Sequence, residues 1–349
     1  MAAGGGLTRS NLMPGDSKSI VKPTISVVIP NWNGLIHLEG CLSALRAQTY
    51  TDFEIILVDN GSQDESLSFV RQRFPEVHIV ALAENRGFAG AVNAGIAVAR
   101  GEFIALLNND TMADPNWLRA IHCATTERAE YGMWASRVVL FDRPELLDSA
   151  GDGMTVAGAP FKRGHLSASR AFEQDQEVFG PSGAAAVYRR AVIEDAGGLD
   201  EDFFLIHEDV DLALRARLGG HRCWYVAGAI VRHKVNASIG RMSREYVFYG
   251  QRNLEYVFWK NFPASLLLRL LPAHCFFTLF ALCHYALKGH GLTFLRAKGA
   301  ALAGLPSVWR KRRSVQTKRR TSAAALLGQL EGRWFRTKLR SAREHWPVS

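Results

Sequence analysis

No Walker A sequence occurs anywhere in this 349-residue chain, and no G-x-G-x-x-G fingerprint follows its first apolar run. The phosphate-cradling loops of P-loop enzymes and of Rossmann dehydrogenases are therefore missing. Cysteine is scarce as well: Cys41, Cys123, Cys223, Cys275 and Cys283 are odd in number, and no two stand at C-x-x-C spacing. That argues against a disulfide framework and a cysteine zinc site, and it fits a reducing compartment. Residues 1–22 lack the apolar stretch of a secretory signal and are expected to form a disordered leader. Acidic residues nearly vanish from the C-terminus. Residues 300 onward hold 12 Lys or Arg against 2 acids, so that of a net charge of +9 the first 299 residues carry about −1. Basicity is thus a property of the tail, where it predicts a polyanion-binding surface for membrane phospholipid or nucleic acid. The 48% hydrophobic content is ample for one large domain or two.

What the sequence does contain is an alternation of strand and helix signals. Thr24 to Pro30, Phe53 to Val58, Val77 to Leu82 and Phe103 to Leu107 read as strands, and Leu35 to Ala47, Glu65 to Arg73 and Phe88 to Arg100 read as the helices between them. This order predicts a parallel sheet with right-handed crossovers. Residues 111–180 weaken the alternation, with a possible strand at Trp134 to Phe141 and Gly-rich loops around Gly151 to Gly164, and are expected to cover the sheet's C-terminal edge. Gly180 to Val187 has side chains too small for an ordinary core strand, and that smallness would let a substrate approach the backbone. A helix over Glu208 to Leu218 and strand-like runs at Cys223 to Val226 and Ala229 to Arg232 follow.

From Tyr246 the chain turns to long apolar helices. Ala264 to Leu287 is the most hydrophobic segment, yet its uninterrupted part after Arg269 is 18 residues, short of the roughly 20 that a spanning helix needs. Basic runs follow at Ser307 to Arg320 and Leu326 to Arg343. Apolar helices bracketed by Lys and Arg predict peripheral or monotopic attachment to an anionic membrane surface, with no nucleic acid as partner. A true span and an ordinary helical domain are the alternatives.

Each strand of the first half ends in polar residues: Pro30-Asn31-Trp32-Asn33-Gly34, Asp59-Asn60-Gly61-Ser62, Glu84-Asn85-Arg86-Gly87 and Asn108-Asn109-Asp110. One such end is turn chemistry, but four converging on the C-terminal edge of one sheet make a ligand site. Asp110 can reach a divalent cation, which a departing diphosphate needs. Asp59 can accept from a pyrimidine N–H or a ribose hydroxyl, and Arg86, beside Gly87 at a helix start, can pair with a diphosphate. The bland roles are an Asx-turn for Asp59 and a solvated charge for Arg86.

These stretches, together with Val27-Val28-Ile29, Phe88-Ala89-Gly90, Asn93 and Glu208-Asp209-Val210-Asp211-Leu212, resemble the inverting glycosyltransferases of family 2, which have the GT-A fold. The resemblance covers about residues 24–260, and Asn31-Trp32-Asn33-Gly34 with Arg252-Asn253 looks most like its rhamnosyltransferase-type members. It implies a mostly parallel α/β sheet flanked by helices, with a donor half over 23–111 and an acceptor half over 112–260, while the helical, basic, membrane-associated region over 261–349 rests on the composition described above. It also implies roles. Pro30, Asn31, Asn33, Asp59, Arg86, Gly87, Asn93, Asn108 and Asn109 fall on the donor side; Ser182, Gly183 and Glu208 fall on the acceptor side, with Arg189 in the same family segment; Asp110 and His233 fall at a Mg²⁺ or Mn²⁺ site. Asp209 matches the general base. One departure stands out, since the usual D-x-D carries two acids and here Asn108 replaces the first, which leaves the cation fewer charges.

The activity implied is transfer of a hexose, L-rhamnose from dTDP-rhamnose being one option, to a lipid-linked or polymeric glycan acceptor at the cytoplasmic face of the cell membrane, in cell-envelope polysaccharide synthesis. Two other readings compete. A sugar nucleotidyltransferase would need a Gly-rich, Arg- or Lys-bearing loop straight after strand one, which Asn31 to Gly34 does not provide. A catalytically silent membrane-bound scaffold is opposed by Asp59, Asp110 and Asp209, although Asn108 leaves it an opening. Asp211 and Arg215, at i and i+4, read as a structural pair.

Overall fold

The computed structural model of the chain describes residues 22–235 and 242–333. The expected disordered leader up to residue 21, Ser238, and the end of the basic Leu326 to Arg343 segment lie outside the described residues.

In the first half, β1 (Ile25–Asn31), α1 (Leu35–Arg46), β2 (Phe53–Asp59), α2 (Ser66–Arg73), β3 (His78–Ala81), α3 (Gly87–Val98) and β4 (Phe103–Leu107) alternate as the sequence predicts. Strands β3, β2, β1 and β4 pair in parallel in that spatial order. Period-two alternation sends Val27 and Ile29 into one apolar layer with Leu38, Leu42 and Trp117, and sends Val28 into the opposite layer with Val92, Ile104 and Leu212. Both faces are covered, which is why the strands read as continuous apolar runs. The small residues of α3 have a packing cause: a Cβ on Gly95 would fall 2.4 Å from Val28 Cγ1 and 2.8 Å from Val58 Cγ2.

The second half adds β5 (Thr111–Ala113), α4 (Trp117–Glu127), β6 (Met133–Leu140), β7 (Leu147–Ser149), β8 (Asp152–Met154), β9 (Pro160–Lys162), β10 (Gln176–Val178), β11 (Ala185–Arg189), α5 (Arg190–Ala196), α6 (Glu208–Leu218) and β12 (Cys223–His233). The large sheet runs β10-β12-β6-β11-β4-β1-β2-β3, with β5 on β12 and β7 on β6; β8 and β9 form a hairpin apart. Two expectations are corrected here. The segment judged too small for a core strand supplies β11, buried from Ala185 to Tyr188 and antiparallel to both β4 and β6; Ala185 lies in one apolar layer with Trp134 and Ala186 in the opposite layer with Tyr188. The two runs at Cys223 and Ala229 are one strand, interrupted by a bulge between Val226 and Ile230.

Helices α7 (Arg244–Asn261), α8 (Ala264–Leu287), α9 (Gly291–Lys318) and α10 (Ala323–Leu327) complete the described chain. Val257, Phe258, Phe262, Leu266 and Val308 join Phe203, Leu214 and Leu218 in one core, so these helices are packed onto α6. Buried charges pin them further. Lys260 Nζ lies 2.5 Å from Asp200 Oδ2 and 2.8 Å from Asp211 Oδ1, and Lys311 on α9 reaches Asp200 as well as Asp202. The expected Asp211–Arg215 pair is present at 2.8 Å.

Glu255 on α7 ties α8 and α9 together, contacting His274 Nε2 at 3.1 Å and Lys298 Nζ at 2.5 Å. Burial works against its charge, but His274 and Lys298 prevail and bring its carboxyl down to about 2. A carboxylate depressed by folding stabilises above its unfolded pKa of about 4.3, and that contribution is lost as pH falls toward 2. The effect is at most about 3 kcal/mol, less because Lys298 is itself pulled down by burial. Glu255→Gln should therefore flatten the loss of stability between about pH 4 and pH 2, as read from denaturant unfolding across that range; an unchanged acid limb would remove Glu255 from this role.

Candidate functional site

The strand ends meet through amide side chains. β1 pairs with β2 so that Asn31 stands opposite Asp59. The buried Asn31 works in both directions, Nδ2 donating to Asp59 Oδ1 at 3.3 Å and Oδ1 accepting from Asn109 Nδ2 at 2.7 Å. The loops approach so closely that a Cβ on Gly34 would fall 2.1 Å from Asn109 Nδ2, which reserves that position for glycine. Asp59 Oδ2 accepts from Ser62 N–H at 3.2 Å, the Asx-turn named above as its bland role. Asn33, at φ 49°, joins the two loops by accepting from Gln63 N–H at 2.8 Å. Pro30 precedes this corner within β1, half-buried.

A second amide pair builds the start of α3. Asn60 Nδ2 donates to Asn85 Oδ1 at 2.9 Å and to Gly87 O at 3.0 Å, while its Oδ1 accepts from Arg86 N–H at 2.9 Å. The half-exposed Arg86 guanidinium pairs with Glu201 Oε2 at 2.9 Å. Asn93 departs from expectation: Nδ2 donates to Leu199 O at 2.9 Å and Glu201 Oε1 at 3.0 Å, and Oδ1 accepts from Leu199 N–H at 3.0 Å. Its amide braces that segment.

Asp110 and His233, remote in sequence, are joined by register. β12 pairs antiparallel with β5 so that His233 faces Thr111, and Lys234 N–H donates to Asp110 O at 3.0 Å. His233 Nε2 then lies 3.3 Å from Asp110 Oδ1. On the ring's other side Nδ1 is 2.9 Å from Asp148 Oδ2. Asp148 arrives there because Ser149 pairs with Val138 and Leu147 with Val139, leaving Asp148 as the extra residue of a bulge, a device that re-aims a side chain. Lys162 Nζ donates to both Asp148 oxygens at 2.7 and 2.8 Å. Burial resists ionisation of Asp148, but Lys162, His165 and His233 hold its carboxyl well below the usual range.

This corner fits a hard divalent cation. Asn108 Oδ1 is buried with no hydrogen-bond partner among the described residues, and the buried Asp110 Oδ1 meets only His233 Nε2. An ionised Asp148 makes Nδ1 of His233 the donor, so Nε2 of a neutral ring would face the Asp110 carboxylate acceptor to acceptor, which calls for a positive charge between them. Without a cation that charge is a proton: burial lowers the imidazole's affinity, but Asp110 and Asp148 overcome it and raise His233 to about 8. A carboxylate behind a metal-binding histidine is the usual outer support of such ligands. Among the described residues no cluster of three His, Cys, Asp or Glu ligands forms, so the protein alone would leave coordination positions for another molecule.

Across the edge, α6 begins at Glu208 with three acids in its first turn, where the helix dipole favours them. Asp209 Oδ2 accepts from Gly183 N–H at 2.8 Å and Oδ1 from Val210 N–H at 2.7 Å. A Cβ on Gly183 would fall 2.7 Å from Asp209 Oδ2, so the small residues before β11 let backbone reach the carboxylate. Burial raises Asp209's pKa despite those two donors, which strengthens it as a base. Ser182 is buried beside it. Burial, with Asp209's charge, pushes Glu208 well above the carboxylate range, and Glu208 Oε2 has no partner among the described residues. Asp152 is raised to about 8 by burial and by Asp209. Asp148, Asp152 and Lys162 were not anticipated: they come from three-residue strands in the Gly-rich stretch, too short for any periodicity to mark.

The family described as Glycosyl transferase family 2 matches residues 26–197. An uncharacterized glycosyltransferase of Nostoc sp. is 30% identical over 182 residues, 50% of this chain and 54% of that protein. The O-antigen biosynthesis protein RfbC of Myxococcus xanthus is 30% identical over 225 residues, 62% of this chain and 18% of it. The N-acetylglucosaminyl-diphospho-decaprenol L-rhamnosyltransferase of Mycobacterium tuberculosis is 28% identical over 227 residues, 59% of this chain and 74% of it. The chain thus spans about half the length or less of the first two. Among solved structures, the mannosyltransferase PcManGT of Pyrobaculum calidifontis, in complex with GDP-Man and Mn²⁺, superposes with TM-score 0.51 at 20% identity over 86% of each chain. S. aureus TarS 1-349 gives TM-score 0.56 at 16% identity over 84% of this chain and 87% of that one. These likenesses establish the glycosyltransferase GT-A fold.

The Lys162–Asp148 pair generates a stability prediction. Lys162→Met removes the ammonium from the fully buried Asp148 carboxylate, leaving it His233 and His165, and should cost about 2 kcal/mol, reduced from the value for a fully buried pair because Lys162 is partly exposed. Adding Asp148→Asn should recover much of that loss, since no uncompensated charge remains. Denaturant unfolding of the two single variants and the double checks it; simple additivity would mean the pair is not coupled.

Proposed function

The chain carries a glycosyl transferase family 2 domain over residues 26–197, and on that premise we propose that it is an inverting hexosyltransferase using a nucleotide diphosphate sugar. The carrying observation is the Asp209 carboxylate, raised in basicity by burial and held by Gly183 N–H at 2.8 Å, at the same sheet edge as the Asn31–Asp59–Asn109 corner. Asp209 takes the proton of the acceptor hydroxyl as its oxygen attacks the anomeric carbon, and the nucleoside diphosphate leaves on the opposite side. Asp59 and Asn31 receive the nucleoside, Arg86 and Gly87 the diphosphate side, and Ser182, Gly183 and Glu208 line the acceptor side. Asp110, Asn108 and His233 would hold Mg²⁺ or Mn²⁺, which neutralises charge on the leaving group. The named rhamnosyl transfer of the Mycobacterium relative supports L-rhamnose as the sugar and a lipid-linked glycan as acceptor in cell-envelope polysaccharide synthesis.

The reading extends to location, at the cytoplasmic membrane face. One described helix, α8, is long and apolar enough to cross a membrane, and only 33% of its most apolar window is buried. Leu268, Phe276, Leu279 and Leu287 on α8 and Leu292, Leu295, Leu302 and Trp309 on α9 are exposed. Exposed Arg269, Arg296, Arg310 and Arg313 accompany them, the composition of an interfacial anchor.

Calorimetry with dTDP-rhamnose, UDP-GlcNAc, UDP-galactose and GDP-mannose, with and without Mn²⁺, identifies the donor. Asp110→Ala should abolish the metal-assisted part of binding. Asp209→Asn should leave donor affinity nearly unchanged and cut turnover at least about 10²-fold. Asp211→Asn, deprived of charge opposite Lys260 and Arg215, should lose stability more than rate. Activity of Asp209→Asn alongside a folded but inactive Asp211→Asn would assign the base to the other carboxylate.

Flotation with vesicles tests the location. The full chain should bind anionic phospholipid at low salt, and Phe276→Glu with Leu279→Glu should weaken that binding at least about tenfold by placing charge on the apolar stripe. Equal recovery with neutral vesicles, or no binding, would exclude the anionic interface.

A further inference from the structure

Between the Arg86–Gly87 turn and the Asp209 helix runs a strained loop. Phe204, Ile206 and His207 have φ of 62°, 69° and 73°, and none is glycine. Phe204, with ψ −59°, is the centre of a γ-turn closed by Leu205 N–H donating to Phe203 O at 2.7 Å. This is the rare and strained hand of that turn. It stands immediately before Glu208 and so fixes where α6 starts and where the Asp209 carboxylate meets Gly183.

Such a conformation persists only when its surroundings over-determine it, and here they do. Asn253, fully buried on α7, directs Nδ2 at the carbonyls of Phe203, Leu205 and Ile206 at 2.9, 2.7 and 2.7 Å, its two hydrogens shared among the three. Arg252 Nη2 donates to the carbonyls of Asp202 and Phe203 at 2.7 and 2.9 Å, and its Nε donates to Asn253 Oδ1 at 2.9 Å. On the loop's other face the Phe204 carbonyl presses on the donor-side turn: a Cβ on Gly87 would fall 2.3 Å from it, and Ala89 N–H donates to it at 3.4 Å. Two adjacent side chains on α7 therefore make five hydrogen bonds to four consecutive-region carbonyls of a segment about 50 residues away in sequence.

We propose that Arg252 and Asn253 are positioning residues that hold the strained Phe204–His207 loop, and through it the Asp209 carboxylate, in place for proton removal. The proposal rests on the reading of Asp209 as the base. The loop's path is not the one the chain would choose. Released from the five hydrogen bonds, it relaxes toward ordinary turn geometry and moves the start of α6, while the amide corner of Asn31, Asp59 and Asn109 on the far strands keeps its shape.

The test uses the full chain with Asn253→Ala and Arg252→Lys, each alone and combined with Asp209→Asn. The readout is nucleoside diphosphate release from the nucleotide sugar that calorimetry selects, with Mn²⁺ and with water as acceptor. Turnover should fall at least about tenfold for Asn253→Ala and a few-fold for Arg252→Lys, since small misplacements of a catalytic group carry costs of this order. Donor affinity should fall less than turnover does. In the Asp209→Asn background neither substitution should cost anything further, because groups that act through one another are non-additive; a residue that only supported the fold would cost the same in both backgrounds. Additive loss, or full turnover of either folded variant, overturns the proposal. Arg252→Lys, at the partly exposed edge of the loop, carries the test if Asn253→Ala does not fold. Hydrogen exchange separates this from the base assignment. Full turnover of Asp209→Asn alone removes the base, whereas the clamp stands if Asn253→Ala speeds exchange at Leu205 to Asp211 and falls if those amides are unchanged.

Discussion

Strand β11 lies antiparallel between β4 and β6, with Ala185 opposite Leu107 and Ala186 opposite both Leu106 and Ala135. This insertion joins the parallel β3-β2-β1-β4 half to the strands that carry His233 and Asp148. It also brings the turn before β11 to the end of β4, where Asn108 N–H donates to Ala184 O at 3.1 Å. The cation corner and the Gly183–Asp209 contact therefore hang on one strand, whose small side chains allow three strands and a helix to converge there without a steric clash.

The electrostatics follow the same division. The donor corner is built of neutral amides that satisfy one another, and its carboxylate, Asp59, is held by Asn31 and Ser62. The other side concentrates acids: Asp110, Asp148, Asp152, Glu208 and Asp209. Lys162 answers Asp148, while Asp152 and Glu208 are raised by burial instead. On the proposed reading, a site that takes a proton from a hydroxyl benefits from burying its acids, because the base then keeps an elevated proton affinity.

Much of the first half was legible because its signals are local. A run such as Phe103 to Leu107, ended by Asn108-Asn109-Asp110, states both a buried strand and a polar edge within a few residues. β11 was misjudged because its alanines are buried in layers that also hold Trp134 and Tyr188, one of them on another strand, and nothing in Gly-Ala-Ala-Ala says so. Asp148 and Lys162 were invisible for a related reason: a bulge and a separate three-residue hairpin aim them, and neither leaves a periodicity. Asn253 stood out only by resemblance; its work depends on three carbonyls far away in the chain. The amide of Asn93 also braces the Leu199 segment, a contact that no local pattern announces.

The ion pairs between the helical C-terminus and the α6 region bear on the order of synthesis. A chain emerging from the ribosome completes β1 to β4 early, and that half can pack as a unit. When α6 first forms, Asp211 has Arg215 but neither Lys260 nor Asn261, and Asp200 awaits Lys260 and Lys311. The carbonyls of Phe203, Leu205 and Ile206 likewise have no Asn253. A nascent chain is thus able to build the Asn31–Asp59–Asn109 corner some 150 residues before α7 supplies the groups that finish the loop ahead of Asp209.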